Sequence, residues 1–401
     1  MTVTIDAASA ADAPMVSQKL TDFDRRVYCV LGLIFDAITI DGAEARIRDA
    51  VIDRQRCYLS TPNVNNVVAS QKDVQYRDSV SRSNLSVADG MPIIWVAKIL
   101  GIPVASRVPG STLFERMRKK SAVPIKVFFF GGPDGAAQQA EAALNADDGL
   151  MTCVGAISPG FGSLAALSSD AFIDKINAAQ PDFIVVALGT QRGNAWIEHN
   201  FERLTAPVIS HLGAVVNFVA GTISRAPERI SNSGLEWLWR IKEEPSLWRR
   251  YYHDGTAFLA MIATHVLPYL LHTVAKTLLG KRISTASVDN LFKDGLCTIT
   301  LRGAWCDDLM PEFRRTLAQV TVTTCDIVLD LKNVTAMNNA CVALVVLLHG
   351  HQSKIKRAMR IQEISPQAEK MIRLCGVAYL LKNNDNQSPG THLKTSGILH
   401  S

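Results

Sequence analysis

Apolar and polar positions fall in blocks along the first half of the chain. Short, nearly unbroken apolar runs read as strands buried on both faces: Arg26–Asp36 (RVYCVLGLIFD), Cys57–Ser60, Ile125–Phe130, Thr152–Ile157, Asp182–Leu188 and Val208–Leu212. Between them lie segments of helical spacing. Ala43, Ile47 and Val51 share one face of 42–53, and the segments 64–80, 91–100, 111–122, 136–145, 168–179 and 195–204 follow the same rule. Strand and helix alternate with short connections, which predicts an α/β fold: a Rossmann-like, mostly parallel sheet covered by helices on both faces. Polar or glycine turns follow the strands, and in such a sheet these turns share one rim. They are Thr61-Pro62-Asn63, Ala88-Asp89-Gly90, Arg107-Val108-Pro109-Gly110-Ser111, Gly131-Gly132, Gly189–Asn194 and Gly213–Phe218.

The pattern changes after Gly221. Residues 222–252 mix Trp237, Trp239 and Trp248 with Arg225, Arg229, Arg240, Arg249 and Arg250. Aromatics among arginines suit a membrane surface or a lid over a phosphorylated ligand; arginines paired with Glu228, Glu236, Glu243 and Glu244 on a packed helical appendage fit the same residues. Gly255–Ala275 then runs 21 residues without a formal charge, long enough to span a bilayer. Pro268, two histidines and positive residues on both flanks favour an interfacial or re-entrant segment instead. A polar linker, 281–288, leads to a second, small α/β module over 289–381. The expected organisation is thus a disordered arm 1–24, a core 25–221, a basic and aromatic appendage 222–280, the linker, the module and a disordered tail 382–401.

Composition changes this picture little. With 401 residues, 48% hydrophobic, 20% charged and a formal charge of +5, the chain is long enough for two cores and not basic enough to call for nucleic acid. The eight cysteines form no CxxC pair and read as buried free thiols. The N-terminus has no basic region followed by an apolar run, so it does not read as a signal peptide.

The candidate chemistry lies on the rim. Asp89 follows an apolar pair and precedes a glycine and a helix, where a carboxylate serves either as a helix cap or as a base for an attacking sugar hydroxyl. Thr61 and Asn63 offer a hydroxyl and an amide to a sugar or phosphate, or simply turn chemistry ahead of a helix. Gly131-Gly132 after a strand and before a helix suits a phosphate, though such turns also occur without one.

Taken in order, the rim motifs resemble the TagA/WecG/CpsF glycosyltransferase family of bacterial cell-surface polysaccharide synthesis. The same series continues through Pro159-Gly160-Phe161-Gly162, Leu188-Gly189 with Trp196, Gly213-Ala214, Arg225-Ala226-Pro227, Gly234-Leu235-Glu236-Trp237 and Arg249-Arg250-Tyr251. The resemblance covers about residues 26–252. It implies transfer of a sugar from a UDP-sugar, with inversion, to a polyprenyl-diphosphate-linked acceptor at the cytoplasmic membrane face, with no cofactor and no tightly bound metal. By the same resemblance Asp89 is the base, and Thr61 and Asn63 line the pocket. Arg107, Gly110, Gly131, Gly132, Gly189, Gln191, Arg192, Asn194 and Asn217 bind substrate, and Arg225, Arg240, Arg249 and Arg250 grip the acceptor diphosphate. Two positions depart from the family: its glutamine after the strand glycine is Gly193, which removes the donor contact or moves it to Gln191 or Asn194, and its aspartate in the Gly-Ala turn is Asn217.

The C-terminal module resembles a STAS domain, the fold of anti-sigma-factor antagonists, through Ile327–Leu331, Val334–Met337 and Asn338-Asn339-Ala340-Cys341. The hydroxyl that regulatory members phosphorylate is Ala340 here, so the resemblance implies a docking or assembly domain with a protein partner. The alternative reading of the whole chain is a non-catalytic regulator or scaffold that binds lipid-linked intermediates.

Overall fold

The structure is a computed structural model and describes residues 21–223, 227, 230, 236–243, 245–278 and 285–382. The arm up to residue 20, Arg225 and Arg229, the first half of the linker and the tail from 383 lie outside the described residues.

Six strands form the main sheet: β3 (Cys57–Ser60), β4 (Leu85–Ser86), β5 (Ile125–Gly131), β6 (Met151–Ile157), β7 (Phe183–Ala187) and β8 (Val208–His211). All pair in parallel, in the order β4-β3-β8-β7-β5-β6. Each strand must therefore be followed by a crossover, and each crossover helix covers a face. Phe128, Phe129 and Phe130 are consecutive in β5 and all buried: Phe129 packs into the core on one face, Phe128 and Phe130 into the other. Burying a side chain of this size is worth about 1.5–3 kcal/mol, which is why so apolar a run can only be an inner strand.

The expected strand 26–36 is a hairpin, β1 (Val27–Val30) and β2 (Leu33–Asp36), paired antiparallel. Its two-residue loop, Leu31-Gly32, has positive φ at both positions (51° and 92°), the turn that matches strand twist. Both strands are buried, so hydropathy alone could not mark the break. The expected helix 64–80 is likewise two, Val64–Ser70 and Val74–Arg82, because Asp73 turns back to accept the N–H of Tyr76 and starts a new helix. The turn expected at 189–194 is mostly helix: Thr190–Asn200 begins directly after Gly189, and Gly213–Val219 begins directly after Leu212.

The C-terminal module is a four-stranded sheet, β9 (Ser287–Lys293), β10 (Leu296–Trp305), β11 (Asp326–Met337) and β12 (Met359–Ile364), in the order β12-β11-β10-β9. β9 starts inside the stretch expected as linker. Among the described residues the module's core is continuous with the hairpin. Its central helix Asn339–Lys354 is almost wholly buried, and Leu344, Leu347 and Phe313 belong to the same cluster as Val27, Ile34 and Phe35 of the hairpin. Polar bonds fix the junction. Asn339 accepts the N–H of Cys29 through Oδ1 (2.7 Å) and donates to the Cys29 carbonyl through Nδ2 (2.7 Å), and Gly32 N–H donates to the Cys375 carbonyl (2.9 Å). The end of the expected disordered arm is held too: Phe23 is buried and Asp22 pairs with Lys354 (2.6 Å).

Candidate active site

A cavity of about 1070 Å³ opens along the C-terminal rim of the main sheet. That is the upper end of what one small ligand fills, and large enough for two. The rim turns are tied to one another by backbone bonds: Val87 N–H to Ser60 O (2.9 Å), Asp89 N–H to Pro62 O (3.0 Å) and Val108 N–H to Ala88 O (2.9 Å). Three turns far apart in sequence thus become one surface, holding Thr61, Asn63, Asp89, Arg107 and Gly110 in the cavity wall.

Behind them is a buried support. Arg25 grips Asp36 with two nitrogens (3.0 and 2.7 Å) and also donates to Ser83 O, while Asp36 accepts the N–H of Ser86 (2.7 Å). The bidentate pair locks β4, and with it the turn that carries Asp89.

Asp89 faces the cavity beside Arg107 (4.0 Å), and the Gly110 backbone N–H also bonds its carboxylate. Arg107 is bonded in turn by Glu236, which comes from the appendage helix Glu236–Glu243. Burial pushes the Asp89 carboxyl up to about 7, with Glu236 adding to the rise and Arg107, Gly110 and Arg240 opposing it. Its side chain keeps 27% exposure, all that is needed to meet a substrate atom in the cavity.

The other expected residues divide into three groups. Gly132, Gly189, Arg192, Asn217, Arg240 and Arg250 line the cavity. Gly131, Gln191 and Arg249 do not: a side chain at Gly131 would strike Ala187 O at 2.5 Å, Gln191 faces a smaller neighbouring cavity, and Arg249 lies outward over Trp248. Asn63 and Asn194 line the cavity with side chains already engaged. Asn63 caps the helix Val64–Ser70, and Asn194 accepts from Tyr58 Oη (2.6 Å) and donates to Thr190 O (2.6 Å). Several cavity residues were not singled out by the sequence. Glu236 was read as a surface partner for arginines, and Asp254, Phe258 and His211 were not read as site residues at all. For His211 the signal was available, since it ends a strand on the rim.

The profile of the glycosyl transferase WecG/TagA/CpsF family matches residues 28–269. The chain belongs to the WecG/TagA/CpsF glycosyltransferase family. Among its relatives is an N-acetylglucosaminyldiphosphoundecaprenol N-acetyl-beta-D-mannosaminyltransferase of Bacillus spizizenii, 27% identical over 195 residues, which are 48% of this chain and 74% of the relative. A protein of the same name from Staphylococcus aureus strain MW2 is 24% identical over 224 residues, 55% of this chain and 85% of its own. A solved anti-sigma factor antagonist from Mycobacterium paratuberculosis aligns with 24% of this chain and 83% of its own at 17% identity and a TM-score of 0.21. As a member of this family the protein is a glycosyltransferase.

Proposed function

We propose that the enzyme transfers an N-acetylhexosamine or hexose from a UDP-sugar to a polyprenyl-diphosphate-linked sugar, with inversion, in cell-surface polysaccharide synthesis. The observation that carries this reading is the setting of Asp89. A carboxylate with a pKa near 7, open to a cavity with room for two substrates, is matched to accepting a proton from a sugar hydroxyl as it attacks. The hydroxyl oxygen forms the new bond to the anomeric carbon, the bond from that carbon to UDP breaks, and the proton passes to Asp89. Thr61 lies beside Gly110 at the same wall, placed to orient the acceptor hydroxyl. Arg240 and Arg250 enter the cavity from the appendage side and suit the acceptor's diphosphate. The relatives' printed names, which give a lipid-diphosphate acceptor and an N-acetylmannosaminyl group, support this class of substrates.

The acceptor is a lipid, so the enzyme works at the cytoplasmic face of the membrane. Pro245–Lys276 is long and apolar enough to cross a bilayer, with an 18-residue stretch of mean hydropathy 1.5. One side of it is committed to the protein: Asp254 accepts from Asn65 (2.8 Å), and Phe258, Met261, Val266 and Tyr269 are buried in the core. Contacts of this kind at intervals along the helix support its lying on a membrane rather than through it.

The test is transfer from labelled nucleotide-sugars to a polyprenyl-diphosphate-sugar in detergent, screened over UDP-glucose, UDP-N-acetylglucosamine and UDP-N-acetylmannosamine, with GDP-mannose as the non-UDP donor. One UDP-sugar is expected to turn over, and Asp89→Asn to lose at least a hundredfold, the low end for a general base. Equal rates for Asp89→Asn and wild type would remove Asp89 as the base.

A further inference from the structure

His211 ends β8, the strand that lies between β3 and β7, and its ring forms part of the cavity wall. A methyl group built at Gly193 would stand 2.2 Å from the ring Cδ2 and 3.0 Å from Nε2, and one at Gly213 would stand 3.4 Å from Nε2. The imidazole therefore fills a slot between the first turns of two helices, Thr190–Asn200 and Gly213–Val219. Gly193 lies within the first of these and has no left-handed backbone that would call for glycine. Glycine is a poor helix residue, and the ring is the structural reason for it here.

The ring nitrogen in that slot is buried without a hydrogen-bond partner. It faces the two helix turns, which leaves the other ring nitrogen, Nδ1, for the cavity side. Burial also holds the imidazole down to about 4, so it is neutral at neutral pH and offers one N–H and one lone pair instead of a charge. That chemistry suits a hydroxyl or an amide, not a phosphate. The position agrees. β8 is central in the rim, with the Asp89 turn on the β4 side and the Gly132 turn on the β5 side. A sugar passed from a donor to an acceptor activated at Asp89 must lie near that centre.

We propose that His211 is a specificity-determining residue for the transferred sugar: its imidazole, through Nδ1, the ring nitrogen outside the slot, hydrogen-bonds a hydroxyl or acetamido group of the UDP-bound sugar, and Gly193 is glycine because the imidazole occupies its side-chain space. The proposal rests on the transferase reading above. It relocates the contact that the family places on the side chain at 193. Neither expected substitute supplies it, since Gln191 faces another cavity and the Asn194 amide is bonded to Tyr58 and Thr190.

The test is calorimetric titration of the full chain with UDP, UDP-glucose, UDP-N-acetylglucosamine and UDP-N-acetylmannosamine. Wild type should bind one UDP-sugar more tightly than UDP. In His211→Ala that advantage should shrink about tenfold, the worth of one hydrogen bond, while UDP affinity stays the same. His211→Asn, neutral and still able to donate and accept, should recover part of it. An unchanged advantage, or equal losses for UDP and UDP-sugar, overturns the proposal and leaves the transferase reading standing. A wild type that binds UDP but no UDP-sugar more tightly overturns the His211 contact alone, and one that binds neither removes both. The steric half has its own readout. Gly193→Ala should lower the thermal unfolding midpoint, and adding His211→Ala should restore it; strictly additive shifts refute the pairing.

Discussion

Asp89 ties the chemistry of the site to its energetics. Its carboxyl holds a proton more tightly in the folded chain, with a pKa of about 7, than in the unfolded one, near 3.8. Folding is therefore favoured by protonation, and the group's contribution to stability is lost as pH rises from about 4 through 7. Two outcomes follow with opposite directions. Turnover should rise with pH through a midpoint near 7 as the base becomes available, whereas Asp89→Asn should abolish that dependence and raise the unfolding midpoint at pH 8 but not at pH 4. A pH–rate profile and a pair of melting curves check both; a pH–rate midpoint that survived in Asp89→Asn would belong to another group. Glu236 supplies a second check. It raises the Asp89 pKa and holds Arg107, so Glu236→Gln should move the pH–rate midpoint downward by loss of a like charge and release of an opposite one. Asp89 was legible in the sequence because an apolar pair, a glycine and a following helix mark a turn. Glu236 was not, because its partner is 129 residues away and no local pattern brings an appendage helix to Arg107.

Among the elements, the helical run Trp248–Met261, Ile262–Val266 and Leu267–Leu278 has two apolar sides. One is buried against the body. The other leaves Trp248, Tyr252, Leu259, Leu267, Leu271 and Val274 exposed. On a regular helix the last three would drift about 100° from the first three, as 3.6 residues per turn dictates. The intervening segment Ile262–Val266 is a π turn, and its wider turn rotates the second half back into line. The result is one stripe along the helix, flanked at its ends by Arg249, Arg250 and Lys276. Leu259→Glu with Leu271→Glu, at positions 65% and 64% exposed, should cut sedimentation with anionic vesicles severalfold while the melting midpoint stays put. Phe258→Glu, on the buried side, should instead destabilise the fold. Unchanged vesicle binding in the double variant would shift the membrane contact to Trp237 and its neighbours. The charge-free run itself was plain in the sequence. What period and hydropathy could not reveal is that Phe258, Met261, Val266 and Tyr269 within it face protein, since core and lipid select the same side chains.

For the whole molecule, the sequence suggests a transferase followed by a tethered module, and the structure joins them through one core. The reason lies in residues that read as local features. The apolar hairpin β1–β2 has no sheet of its own to cover it, and the helix Asn339–Lys354 supplies the cover. Gly350, within that helix, meets the Ser81 carbonyl so closely that a Cβ would stand 2.1 Å from the oxygen. Asn339, at the turn that resembles a STAS regulatory site, is committed to both backbone groups of Cys29, and Ala340 beside it is buried. From β1 the connection continues through β2 to Asp36 and Ser86, and so to the Asp89 turn. The module thus braces the cavity wall that carries Asp89 from behind. Asn339→Ala would leave a buried N–H and a buried carbonyl unpaired, costing about 2–4 kcal/mol. Gly350→Ala, normally favourable in a helix, would force the Ser81 contact apart and cost about 1–3 kcal/mol. Each variant should lower a single unfolding transition of the full chain, and each should reduce turnover in a mildly heated sample before any separate melting of the module is seen. Two transitions in calorimetry, with only the weaker one shifted by Asn339→Ala, would mean that the module unfolds alone and the brace does not reach Asp89.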